Sequence, residues 1–319
     1  MVSDVETTAV ASRASLVPRA IDAYTRVFLD EKATIGARVF RALLALWTVA
    51  FFVPRLPHAT ELYARPVLRQ SSRVWRALGD PIPPPWLATT AIVLVIVLSL
   101  VFAFTPRHAR VVHVLLLVPL SFLFAVDTVM PRAYGGLAYL QWWLLFLAPY
   151  ERAFDDDGAL SRAPPVGTRV LQAQLALVYF FAVFSKLVDG EGWLDGRAVF
   201  HAFYSERYGR FLLSTWGIPG LLAVILSWGT ILGEFFVAVA LVVPRAPRVR
   251  ALGLLTLVGL HVGMALTLRV SVLFHALMIA HCALFFSDAA WSRILRTDRV
   301  VRALSLFGVR ARLDEGAAP

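Results

Sequence analysis

The chain has 319 residues, 59% of them hydrophobic and 16% charged, with a formal net charge of +10 and a mean hydropathy of +0.70. Water-soluble domains are closer to half apolar and a quarter charged, and disordered chains lie further still toward charge. The composition excludes both classes and predicts an all-α polytopic transmembrane helical bundle with surface amphipathic helices, embedded in membrane lipid.

The basic excess is of the kind that gathers in loops facing an anionic cytoplasmic leaflet. No basic segment interleaved with aromatics points to nucleic acid as a partner. The single cysteine, Cys282, excludes an intrachain disulfide, a CxxC redox pair and a zinc ribbon.

Residues 1–37 read as a cytoplasmic N-terminal tail. Within it Val17, Ile21, Tyr24 and Phe28 recur at helical spacing with charges between them, which predicts an interfacial helix. The long charged stretch ahead of the first apolar run argues against a cleaved signal peptide. Apolar runs follow at 38–53, 86–105, 111–130, 136–149, 168–188, 219–243, 251–268 and 270–287. They are continuous rather than alternating, so they read as helices.

A crossing takes about 20 residues, so the short first and fourth runs must borrow flanking residues. The expectation is a transmembrane domain over 38–287 with about eight spans, then a basic cytoplasmic tail over 288–319. Segment 54–85 carries seven prolines and reads as irregular. Segment 189–218 carries Phe200, Phe203, Tyr204, Tyr208 and Phe211 at spacings of three and four, which fits an aromatic helix on the outer interface, as a lid or an anchor belt. With eight spans, Lys and Arg are about twice as frequent on the side of the termini, which predicts both termini in the cytoplasm and the protein in the cell inner membrane.

Ionisable residues inside the runs cost about 2.5–3.5 kcal/mol each on insertion scales, so they face partners or cavities. They are His113 and Asp127, Lys186, Glu234, His261, His275 and His281. Depth along the spans predicts that Asp127, Lys186, His261 and His275 share the outer half, with Glu234 near mid-depth as the floor of an outer pocket. Helical phase adds a seam: Gln172, Tyr179 and Lys186 are seven apart and share one face. Ser227 and Thr230 share Glu234's face.

Only Lys32 and Lys186 are lysines among 31 basic residues. Lys186 has two readings: snorkelling to the interface, or acting as a base, since lysine can lose its proton on desolvation and arginine cannot. Glu234 reads as a proton partner or as the neutraliser of a buried cation. His261 and His275 read as proton-transfer or inter-helix hydrogen-bonding groups, and His113 and His281 as structural. No metal or nucleotide motif is present.

The stretch LVYFFAVFSKLVDGEGWLDGRAVFHAFY at 177–204, an aromatic span ending in lysine and followed by tryptophan, glycine and an aromatic helix, resembles the membrane core of the vitamin K-dependent gamma-carboxylase family. Its bacterial relatives carry the horizontally transferred transmembrane (HTTM) domain. WGTILGEFF around Glu234 and GLHVGMAL around His261 are similar to that domain, and the resemblance covers roughly residues 20–290.

The resemblance implies Lys186 as base, with His261 and Glu234 as its catalytic partners, acting on a reduced quinone or another lipid-soluble small molecule. Asp127, Tyr179, Trp193 and His275 would line its binding site. A family lysine is replaced here by Ser185, and the carboxylase's protein-substrate domain lies outside the matching stretch, so glutamate carboxylation is not implied. The alternative is a non-enzymatic binding, maturation or export accessory protein for a secreted peptide or protein, with a structural polar core.

Overall fold

The computed structural model describes residues 29–65, 71–105, 108–126, 134–150, 160–188, 192–205, 219–242 and 247–295, together with positions 22, 25, 190, 208 and 209. Strand β1 (Lys32–Ala33) precedes α1 (Ile35–Phe52), which runs through a 3₁₀ turn at Val53–His58 into α2 (Ala59–Tyr63). A short α3 (Arg73–Ala77) leads to α4 (Pro85–Phe104), α5 (Ala109–Val126) and α6 (Tyr134–Leu144), the last closed by a 3₁₀ turn at Leu145–Leu147. Strand β2 (Arg162–Ala163) precedes α7 (Val166–Val188), α8 (Arg197–Tyr204), α9 (Gly220–Val242) and α10 (Pro247–Thr267). Helix α11 (Val272–Ala280) ends in a 3₁₀ turn at His281–Leu284, and α12 (Asp288–Leu295) follows.

The termini of these helices follow local chemistry. Ser72 caps α3 by accepting from the Trp75 amide. Pro85 and Pro247 sit at first helical positions, where a missing N–H costs nothing.

The outward faces of the long helices are apolar: Val118 and Leu255 are each 68% exposed, and Phe181 and Leu232 are exposed beside them. Polar residues go inward instead, with Ser99, His113, Gln141, Ser227, His261, His275 and His281 all buried. That inversion suits hydrocarbon as the surrounding solvent, where a soluble protein would not sustain so much apolar surface. The protein is a multi-pass helical membrane protein.

Six of the described helices are long and apolar enough to cross, or seven if the bent pair Val272–Leu284 and Asp288–Ile294, which turns through 109°, counts as one. Against the expected eight or so, the fourth run has no helix of crossing length among the described residues, and the eighth has one only if the bent pair counts. Helix α6 with its 3₁₀ turn, and α11 with its own, each rise only about 22 Å against a core about 30 Å thick.

Both short pieces nevertheless run back along α1. Tyr134 lies against Trp47 and Phe51 at the far end of α1, and the Trp47 indole donates to the Leu273 carbonyl there at 2.6 Å. His281 packs on Phe40 near the opposite end. Helix α11 and its turn are packed largely within protein, whereas α6 and its turn leave Leu140, Trp143, Phe146 and Leu147 exposed; hydropathy alone does not separate either case from a full span.

The N-terminal strand, residues 160–165 and the C-terminal helix meet at one end of the bundle. β1 pairs antiparallel with β2, the Thr34 amide donates to the Ser161 carbonyl at 2.9 Å, and Arg162 pairs with Asp288 at 3.1 Å. Residues 288–295 are therefore not simply tail, since α12 buries Trp291 against the core. The interfacial helix expected over 17–28 lies for the most part outside the described residues, as does the remainder of the C-terminal tail. In segment 54–85 the described residues form short helical turns broken at the prolines, in keeping with a segment that is not helical throughout.

Candidate functional site

Helix α7 carries the polar seam anticipated from its seven-residue spacing, and each member reaches a different neighbour. Gln172 donates to the Leu284 carbonyl at 2.5 Å. The Tyr179 hydroxyl meets His261 Nε2 on α10 at 2.7 Å. Lys186 Nζ meets Glu234 Oε2 on α9 at 2.6 Å.

The Lys186 side chain folds back toward the helix N-terminus, as helical side chains do, so Nζ also donates to the Ala182 carbonyl at 3.3 Å. The face of Trp193 lies 4.9 Å away. A carboxylate, a carbonyl oxygen and a ring face are all partners for an ammonium group. The side chains of Lys186 and Glu234 are only 13% and 11% exposed.

Lys186 therefore does not snorkel. It is two residues from the end of α7, yet α9 continues for about 21 Å of helix rise from Glu234 back to Gly220. The segment after α7 closes over the pair. Ser227 donates to the Trp193 carbonyl and the Trp228 indole donates to that of Leu194 at 3.1 Å, tying this segment to α9. Gly196 permits the approach: its φ is +84°, and a Cβ there would meet the Val224 nitrogen at 2.6 Å. The expected aromatic helix of 189–218 is the short α8, which packs on α9. Phe211 lies outside the described residues.

A second cluster lies further along the same face of α7. His261 Nδ1 is 3.0 Å from His275 Nδ1, so Tyr179, His261 and His275 form one hydrogen-bonded chain across α7, α10 and α11. Among the described residues no hydrogen bond joins Lys186 to His261. Lys186 pairs with Glu234, and His261 with Tyr179 and His275. Glu234 remains within electrostatic reach of Tyr179, which links the clusters. Ser227 faces inward with Glu234, whereas Thr230 turns to its own backbone at Leu226. Asp127 lies outside the described residues.

Tautomers separate the histidines. His113 Nε2 meets the Trp142 carbonyl at 2.9 Å, which can only accept, so its Nδ1 is an acceptor and takes the Tyr150 hydroxyl proton. His281 Nδ1 donates to the Leu277 carbonyl at 2.9 Å, leaving Nε2 to accept from the Gln141 amide at 2.7 Å. Each is locked in one tautomer by a carbonyl, as suits structural groups. His261 differs: both its ring nitrogens face groups that can either donate or accept. The Tyr179–His261–His275 chain can therefore exist with its hydrogen bonds in either direction.

Several contributors carry little sequence signal. The Ala182 carbonyl is one, since any residue supplies it. Gln141 is another, an ordinary amide in a short helix whose partner is 140 residues away.

A cavity of about 400 Å³ also opens in the bundle, at the end where β1, β2 and α12 meet, lined by the first turns of α1 and α7 and by Leu284–Ala289. It is remote from the outer pocket expected beside Lys186. Among the described residues no cluster of three or more His, Cys, Asp or Glu could hold a metal ion. No family model, curated protein or solved structure matches the chain.

Proposed function

We propose that the chain is a membrane-embedded, HTTM-like enzyme core in which Lys186 and Glu234 share a proton and act on a lipid-soluble molecule with a weakly acidic hydroxyl, such as a reduced quinone. The observation that carries this reading is the Lys186–Glu234 contact at 2.6 Å, largely buried beneath Trp193. In such a site a carboxylate can take the ammonium proton, because two neutral groups cost less than two ions away from water. The freed Nζ then accepts the hydroxyl proton of the bound molecule, restoring an ammonium. The switchable Tyr179–His261–His275 chain offers the substrate side a further donor or acceptor. Residues 177–204 supply the resemblance to the carboxylase membrane core. The basic residues favour an inner-membrane protein with cytoplasmic termini.

The test uses full-length protein in nanodiscs titrated with a reduced naphthoquinone, following tryptophan quenching for binding and absorbance of the deprotonated quinol for proton abstraction. Wild type is expected to bind and to raise the deprotonated fraction. Lys186→Arg should bind but abstract nothing, since arginine keeps its proton. Equal absorbance change in Lys186→Arg removes the base role.

The second reading is a non-enzymatic accessory protein for a secreted peptide or protein. It is favoured by the way the polar pairs tie helices together: α7 to α9, α7 to α10, α10 to α11, and α6 to the turn after α11. Under it Lys186→Arg is silent in every functional assay, while Glu234→Leu impairs folding.

A further inference from the structure

Apolar surface in this protein is not confined to the crossing helices. In the segment that links α2 to α4, Val74 is 69% exposed, Leu78 67%, and Ile82 is exposed beyond them. Trp86, in the first turn of α4, is 67% exposed. Val74 and Leu78 are four apart, on one face of α3 and the residue that ends it. Local contacts hold these side chains out. The Trp75 indole donates to the Pro81 carbonyl at 3.0 Å, and Gly79 and Asp80, at φ +88° and +51°, turn the chain between them. Trp75 is the residue of α3 that packs on the bundle.

Two contacts set the depth of α3. The Ser72 amide donates to the Ala125 carbonyl at 2.9 Å, and the Trp75 ring meets that of Phe122 edge-on at 5.6 Å. Phe122 is four residues, about 6 Å of helix rise, short of Val126 in α5. Val111, Leu115, Val118 and Phe122 follow one another at intervals of three and four, and the first three are exposed. Helix α3 therefore lies at the end of a lipid-facing stripe. On α4, Trp86, Val93, Val97, Leu100 and Phe104 form a second exposed stripe, which begins at the patch. The patch is continuous with surface that hydrocarbon covers. Arg73 and Arg76 flank it and are exposed. Arginine lays its stem along apolar surface while its guanidinium reaches for phosphate.

We propose that residues 72–86 form an in-plane membrane anchor, in which Val74, Leu78, Ile82 and Trp86 enter the acyl region of the nearer leaflet while Arg73 and Arg76 meet lipid phosphates. Interfacial elements enter by about 5–10 Å, and the contact of Trp75 with Phe122 places α3 at such a depth. A protein partner on this patch would have to displace the lipid that covers the adjoining stripes of α4 and α5, whereas lipid covers all three without a break. The proposal does not depend on the role of Lys186.

Full-length protein in phospholipid nanodiscs decides it. On a Cys282→Ala background, Val74→Cys and Leu78→Cys each carry a fluorophore. Val118→Cys serves as the lipid-facing reference, and Glu61→Cys, where the native side chain is 63% exposed, as the aqueous one. The Val74 and Leu78 labels should be quenched roughly threefold more strongly by a nitroxide at the top of the acyl chains than by aqueous iodide, and the Glu61 label should show the reverse. Leu78→Asp should swing the Val74 label toward water and roughly halve its nitroxide quenching, because a charge is expelled from the acyl region. All three substituted side chains are exposed, so loss of folding does not confuse the result. The proposal is overturned if the Val74 and Leu78 labels follow the Glu61 pattern, which places the segment in water. It is overturned equally if neither quencher reaches them, which means that a second copy or another protein covers the patch, or if Leu78→Asp leaves the Val74 label unmoved.

Discussion

Removing one partner of the Lys186–Glu234 pair tests the environment on which the proposed chemistry depends. At the observed 2.6 Å and an effective dielectric near 20, the attraction between unit charges is about 6 kcal/mol. Desolvating two ions offsets much of that, so the pair contributes far less to net stability than its attraction suggests. Deleting one charge is different, because the other stays in the bundle without its counter-ion. Glu234→Gln and Lys186→Met should each cost about 3–5 kcal/mol. Lys186→Met combined with Glu234→Gln leaves no uncompensated charge, so it should recover most of the loss and end within about 1–2 kcal/mol of wild type. Equilibrium denaturation in mixed micelles, with the denaturant slope checked for constancy, gives all four corners of the cycle. A Glu234→Gln cost below about 1 kcal/mol would match an exposed pair instead, and a double variant as unstable as the sum of the singles would show no coupling. Either result refutes the buried-pair argument, and the proton-sharing proposal with it.

Three further outcomes follow from single contacts. Gly196→Ala should lose at least about 2 kcal/mol, because a Cβ meets the Val224 backbone at positive φ; faster proteolytic cutting within 190–204 would report the detached cap. Thr48→Val should cost about 1–3 kcal/mol despite its matching shape, since Thr48 Oγ1 accepts the buried Trp142 indole proton at 3.0 Å, and Trp142 fluorescence should shift with it. Tyr150, in the loop after α6, has its hydroxyl pushed by burial up to about 12. A folded-state value above the unfolded one means that this stability is present below pH about 10 and is lost as pH rises toward 12. Tyr150→Phe should flatten the alkaline limb of the stability curve; an unchanged slope would show that other groups set it.

Much of the fold is legible because apolar run length and membrane thickness are directly related, and six runs obey that relation. Among the described residues the fourth does not, and the eighth does so only as a bent pair, because hydropathy measures only that a segment avoids water. Trp142, His275 and His281 are buried in these segments by other helices, and a residue packed against protein is as apolar in its demands as one facing lipid. The seam of Gln172, Tyr179 and Lys186 is legible for a geometric reason: seven residues are nearly two full turns, so the three side chains return to one face. What each would touch is not, since the partners are 112, 82 and 48 residues away in sequence. The depth of Lys186 misleads for a related reason. Its Cα lies at the end of α7, which suggests the membrane rim, but the side chain turns back to Ala182 and the chain beyond folds over it.

The four histidines show why burial alone does not mark a working group. All of them are almost wholly enclosed, and depth and polarity do not separate them. The separation comes from what each nitrogen faces. A carbonyl oxygen can only accept, so His113 and His281 each have a single arrangement of protons, and moving one would leave a buried acceptor facing a lone pair. Tyr179 and His275 impose no such direction on His261. Proton transfer needs two hydrogen-bond arrangements, and a ring between two groups that can each donate or accept allows both. Replacing His261 with glutamine should therefore act differently from replacing His281 with glutamine. The first should alter the pH profile of any proton-dependent activity beyond its effect on stability. The second should act through stability alone, measured as a proportional loss of folded protein and of activity. Identical pH profiles for His261→Gln and His281→Gln at equal folded fractions would show that the chain through His261 is scaffold as well.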